Sequence, residues 1–207
     1  MAKIRSGILS QTRGKVAGVV GAVWKGKNYI REYVKPAYTN TDAQIAQRTS
    51  FGLLVAFAKQ ILGPVINIYV DPFVRDMSGY NYFIKQNLKT FKTNGNELNF
   101  VSLTSGKLSP PVISGLESLG SGMGIRVSYT DDLGANGKAD DEIVAVAYNI
   151  LTKKVDQVKL GVRNLGQIDL DGCDETVEYY VWVFAAQRNL ENKIMMVSAS
   201  AVDTYSV

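Results

Sequence analysis

The chain changes its hydrophobic rhythm at Thr93-Asn94-Gly95-Asn96, and that change constrains the fold more than any single motif. Before it, apolar residues recur at helical spacing. Thr41 can cap a helix, with Gln44 as the reciprocal member of a capping box. Phe51, Leu54, Val55, Ala58, Ile61 and Leu62 then fall at i, i+3, i+4, i+7 spacing, which predicts one apolar face ending at Gly63-Pro64. A second helix is predicted from near Ser78, with Tyr80, Phe83, Ile84, Asn87, Leu88 and Phe91 on one face. Between the two, Pro64–Val74 is apolar, and Pro72 breaks any long helix there.

After Asn96 the period becomes two. Apolar runs at Leu98–Leu103, Val112–Leu116, Gly124–Thr130, Glu142–Asn149, Val155–Val162, Gln167–Leu170, Val177–Ala185 and Lys193–Thr204 are separated by turn formers, including Ser109-Pro110-Pro111 and Asp171-Gly172. Seven or eight regularly spaced short strands predict an antiparallel β-sandwich of immunoglobulin or fibronectin-III type. Val177–Ala185 is apolar on both faces, as a central strand requires. The expected fold class is α+β, with a basic arm and helical docking region over 1–96 and the sandwich over 97–207.

Residues 1–38 are basic and glycine-punctuated, with eight Lys/Arg against the single acid Glu32. Val19, Val20, Val23, Trp24, Tyr29, Ile30 and Tyr33 suggest short strands or an extended arm, closed by Pro36. So polar a segment cannot bury a core alone, so its order depends on a partner or on the rest of the chain. Charge follows the same division: residues 1–100 carry fourteen Lys/Arg and five Asp/Glu, and residues 101–207 carry nine and fourteen. The basic half is therefore expected to face something acidic.

Composition narrows the chemistry. Histidine is absent, which removes the usual general base near neutral pH and the commonest metal ligand. The single Cys173 allows neither an internal disulfide nor a thiolate zinc site, and reads as a small buried thiol. No enzyme, metal or cofactor is expected. Arg13 and Lys15 interrupt the apolar stretch that a signal peptide needs after Lys3 and Arg5, and Val16–Trp24 is too short to cross a bilayer. A soluble chain without secretory signal follows.

Three motifs carry a possible chemistry and a plainer reading beside it. Gly21-Ala-Val-Trp-Lys-Gly26-Lys27-Asn28 nearly matches a phosphate-binding loop. Asn28 stands where the magnesium-holding hydroxyl belongs, and the following residues read as strand, so a turn between strands is favoured. The stretch Asp131, Asp132, Asn136, Asp140, Asp141, Glu142 lacks calcium-loop spacing and reads as a solvated hairpin loop. The arm residues Arg13, Lys15, Trp24, Lys25, Lys27, Tyr29, Arg31 and Tyr33 combine cations with aromatics. That mixture suits protein docking, and more weakly nucleic acid, for which no named motif is present.

Several of these motifs resemble an uncharacterised family found in Bacteroidetes genomes and their phages. The resemblance is carried by Gly14-Lys15-Val16 with Gly18, Trp24-Lys25-Gly26, Ile30-Arg31 and Gln44 with Gln47-Arg48. In the second half it is carried by Tyr129-Thr-Asp-Asp, Gly137, Ala139-Asp140-Asp141, Tyr148-Asn149 and Thr176-Val177. Asp169–Gly172 and the closing Ser198–Val207 depart from the family pattern. The resemblance names relatives and no reaction.

Together these readings predict a non-enzymatic structural protein of a bacteriophage particle, a capsid-decoration, head-fibre or tail component. It would dock through its basic N-terminal region onto capsid or tail proteins and copies of itself, and be located in the virion. A bacterial surface or adhesion module, or a subunit of another assembly, is the first alternative. A nucleic-acid-binding protein using the arm is the second.

Overall fold

The computed structural model describes residues 2–4, 14–24, 27–35, 41–120, 122–130, 133–134 and 136–207. They fall into two compact units, Met1–Gln44 and Ile45–Val207. In the first, strands β1 (Ala2–Ile4), β2 (Gly14–Val16), β3 (Val19–Trp24) and β4 (Lys27–Glu32) form an antiparallel sheet in the order β1-β4-β3-β2. The short strands read from the alternation are present. Ala17 and Gly18 make a two-residue hairpin between β2 and β3, with Ala17 at φ 53°, the left-handed conformation that such tight turns need. A bond from the Tyr33 amide to the Gly18 carbonyl (2.8 Å) carries the β3–β4 ladder one residue past β4.

The second unit begins with helical structure. Helix α1 covers Asp42–Gln60, and the Gln44 amide donates to the Thr41 side-chain oxygen at its start, as the capping pattern predicts. Its buried face is Ser50, Leu54, Phe57 and Ala58, continued by Ile61. Phe51, expected on that face, is 47% exposed. The buried stripe is centred near Leu54, and Phe57 fills the place that spacing alone assigned to Phe51.

The helix stop read at Gly63-Pro64 falls just past the point where α1 ends and the chain changes direction. The α-helix stops at Gln60, bends by 86°, and continues as a π-helical segment over Leu62–Val70. The Ile61 carbonyl accepts from both Val65 and Ile66, and Pro64 sits in the first turn, where its missing N–H costs no bond. Pro72 lies in a 3-10 turn, Asp71–Phe73. Helix α2, Gly79–Thr93, is capped by Ser78 and buries Phe83, Ile84, Asn87 and Phe91, the face read from periodicity.

Two antiparallel sheets follow. Strands β5 (Ile113–Ser118), β6 (Ile125–Tyr129), β7 (Glu142–Asn149), β8 (Lys154–Val162), β9 (Gln167–Leu170), β10 (Tyr179–Arg188), β11 (Ile194–Val197) and β12 (Ala201–Tyr205) run in chain order. One sheet is β5-β6-β9; the other is β8-β7-β10, with β11 and β12 sharing the far edge of β10. Ile125, Val127, Ile168 and Leu170 from the smaller sheet join Ile143, Ala145, Val181 and Val183 from the larger in one core, a sandwich-like arrangement. The alternate residues Val144, Val146, Trp182 and Phe184 join Leu54, Phe57, Ile66 and Phe83 in a second core beneath the helices. Strands β7 and β10 are thus buried on both faces because each face has its own cover. Phe57 stacks at 5.3 Å from Trp182, whose indole donates to the Val101 carbonyl at 2.8 Å.

Two strand expectations are corrected. Leu98–Leu103 is a 3-10 turn and irregular chain rather than a strand; it is apolar because Val101 and Leu103 drop into the helical core. Lys193–Thr204 is two strands, because residues 102–108 meet the chain at the break. Leu108 bridges Ser198 and its amide donates to the Val197 carbonyl, while the Leu103 amide donates to Ser200 Oγ. A Cβ at Gly106 would collide with that Val197 carbonyl, so the crossing requires glycine.

Candidate interaction surface

The register of the N-terminal sheet sorts its residues onto two unlike faces. Lys15 stands opposite Val20, and Val20 opposite Arg31; Ala22 stands opposite Tyr29, and Trp24 opposite Lys27. Directly opposed residues share a face, and residues two apart share it too. Lys15, Lys27, Tyr29 and Arg31 therefore line one side with Val20 and Ala22. Tyr33 continues the series, and Lys15 Nζ lies 3.6 Å above its ring, a cation–π contact. Lys3 stands opposite Tyr29 in the neighbouring strand.

The other face carries Gly14, Val16, Val19, Gly21, Val23 and Ile30, with Glu32 opposite Val19 and Asn28 opposite Val23. Val16 is 60% exposed, Val19 40% and Val23 38%. Among the described residues of this unit, no second layer lies over the valines of this four-stranded sheet.

Of the eight residues singled out from sequence, Lys15, Lys27, Tyr29, Arg31 and Tyr33 thus come together on one face, and Trp24 shares their rows by register. Arg13 and Lys25 lie outside the described residues. What sequence reading missed is the division of labour between faces; the signal was the alternation in Lys27–Tyr33, which becomes meaningful only with the register. Along the structural boundary the charge contrast becomes a strongly basic first unit against a nearly neutral second. Residues 1–44 hold eight Lys/Arg and two Asp/Glu, net +6, against fifteen and seventeen, net −2, in 45–207. The near-miss phosphate loop runs from β3 into β4, with Trp24 paired to Lys27; a strand follows it where a phosphate site needs a helix.

The second unit's charged groups serve packing. Asp141 and Arg163 are paired and almost wholly buried, with Asp141 also accepting from Gln187 and the Lys138 amide. Arg188 clasps Glu142 through two bonds of 3.1 and 3.0 Å, and Tyr69 donates to the same carboxylate. Burial, followed by that carboxylate, pushes the Tyr69 phenol well up, so it serves as a donor. Asp141 and Glu142 are therefore committed to cations; Asp131 and Asp132 lie outside the described residues. Among the described residues, no group of three or more acids or Cys is placed to hold a metal ion. Cys173 is buried as expected, and burial pushes its thiol up to about 12.

A family model described as a Family of unknown function (DUF6266) matches residues 11–162. No curated protein and no solved structure matches the chain.

Proposed function

We propose that this chain, which belongs to the DUF6266 family of unknown function, is a non-enzymatic structural protein that docks into a larger assembly through its N-terminal sheet. The observation that carries this reading is the uncovered apolar face of Val16, Val19 and Val23 on a unit too small to cover it. Docking supplies the missing layer, and the cations of the opposite face stay in water. Copies of the chain and other proteins of the assembly are the expected partners.

The second unit is then the projecting module, and we read its sheets as a fibronectin-III-type sandwich. Two features support this. The first, second and fifth strands of the module pair in one sheet (β5-β6-β9) and the other five in the second, which matches a three-on-four Greek-key order once β11 and β12, sharing one edge of β10, are taken as a single broken strand. Tyr179, the first residue of β10, accepts at its hydroxyl from the Asp174 amide five residues upstream (3.0 Å), the geometry of a tyrosine corner.

A bacteriophage particle is the assembly favoured by the resemblance of the N-terminal motifs to a family of Bacteroidetes and their phages. The location is then the virion, assembled in the host cytoplasm. Mass spectrometry of purified particles from a host carrying this gene tests it: the chain is expected at stoichiometric levels. Its absence from particles, with the chain found instead on the cell surface, would transfer the docking role to a bacterial adhesion module.

A further inference from the structure

We infer that the cationic face of the N-terminal sheet binds single-stranded nucleic acid, with bases stacked on Tyr29 and Tyr33 and phosphates met by Lys15, Lys27 and Arg31. The argument is one of pattern. Along β4 and its extension, Lys27, Tyr29, Arg31 and Tyr33 occupy i, i+2, i+4 and i+6, so cation and ring alternate on one side of the sheet. Each step spans two strand residues, roughly 6.6 Å, a spacing that the base-and-phosphate repeat of an extended single strand can follow. Lys15 comes over the Tyr33 ring from the far edge strand, so the charge extends across the width of the sheet.

An acidic protein surface would satisfy the cations and give the rings nothing flat to meet. In a duplex the base faces are already stacked on one another. A single strand offers both a charge and a π-face at every step, which is the chemistry of non-specific single-strand platforms. Lys15, Lys27, Arg31 and Tyr33 are exposed and Tyr29 is half-exposed, so the groups are accessible. The inference concerns the face opposite the one proposed for docking. Docking is read out on particles and nucleic-acid binding on the purified chain, so either can fail without the other.

Fluorescence anisotropy of the full-length protein with a labelled oligothymidylate and a labelled oligouridylate tests it. Affinity is expected to fall steeply with salt, and K27Q/R31Q to flatten the log–log slope by about 1.4, given about 0.7 per phosphate on a single strand. Tyr33→Ala is expected to weaken binding about tenfold at fixed salt, and Tyr29→Ala similarly, whereas Tyr29→Phe and Tyr33→Phe keep the affinity because the ring remains. Tyr33 lies past the end of β4, so its loss leaves the strand intact even if Tyr29→Ala disturbs the sheet. No binding at low salt would overturn the inference. So would unchanged affinity in the Tyr33→Ala variant, or polyglutamate of matched charge displacing the oligonucleotide equally well, which would give the face to an acidic protein instead.

Discussion

The N-terminal sheet and the sheet built on β7 and β10 meet the same physical requirement in opposite ways. In the second, residues alternate between two cores: Ile143, Ala145, Val181 and Val183 face the smaller sheet, and Val144, Val146, Trp182 and Phe184 face the helices. Both sides are apolar because both are covered from within the chain. In the N-terminal sheet one side carries the exposed Val16, Val19 and Val23, and the other carries the exposed Lys15, Lys27 and Arg31. A strand covered on both faces reads as a continuous apolar run, whereas a strand covered on one face alternates. The alternation in β4 is thus a record of two different outer environments, and the continuity in β10 of two inner ones.

That contrast can be broken most forcefully at Trp182. Trp182→Ala removes the largest side chain of the helical core together with its bond to the Val101 carbonyl. It is expected to cost about 4 kcal/mol, within the range for deleting a buried aromatic, measured as a lower urea midpoint. Next is Asp141→Asn, which leaves the buried Arg163 charge without its counter-ion. The expected loss is about 3 kcal/mol, and urea titration of the variant against wild type measures it. A midpoint within error of wild type would show that water reaches this pair.

A smaller effect is expected at Lys159. Its ammonium, with help from Gln157, holds the exposed Asp171 carboxyl down to about 2, against an ordinary 3.8. Because the folded value is depressed, the interaction stabilises above the ordinary carboxylate range and fades as pH falls toward 2. Lys159→Ala should return Asp171 toward ordinary titration, read by NMR of the carboxyl carbon, and should flatten stability between about pH 5 and 2. Smallest of all is the effect of deleting residues 1–40 while keeping the Thr41 cap. Among the described residues the two cores contain none before Leu54, so the urea midpoint of the remaining unit is expected to stay within about 0.5 kcal/mol of wild type. Docking and oligonucleotide binding should both disappear. A truncated chain that failed to fold would show the N-terminal sheet to be part of the body.

Much of this fold was legible in the sequence, and the legible parts share a cause. The strands Glu142–Asn149 and Gln167–Leu170 agree with the sequence reading residue for residue, Thr41 caps its helix as read, and the second helix starts next to Ser78 as read. The misreadings share a cause too. Phe51 and Phe57 both satisfy helical spacing, and only the position of the sheet beneath α1 selects Phe57. Leu98–Leu103 has the composition of a strand, yet Val101 and Leu103 are apolar because they drop into the helical core. Gly63-Pro64 does mark the end of α1, but that the apolar run Val65–Val70 follows as a π-helical segment is decided by its packing into the helical core. For the interaction surface, every residue type was visible in the chain, while its division into a cationic and an apolar face was not.

What the sequence alone determined is whatever depends on neighbours within a few residues: the caps, the two-residue hairpin at Ala17-Gly18, the strand periods, and the strong positive charge of the first 44 residues. What only the tertiary structure decided is which apolar groups find cover. The helices close over β7 and β10, residues 102–108 split the last strand, and Val16, Val19 and Val23 of the N-terminal sheet stay exposed. The physical reason is that burial is a property of pairs of surfaces. A residue's own chemistry states that it gains by leaving water, and the register and layering of distant segments settle whether it does.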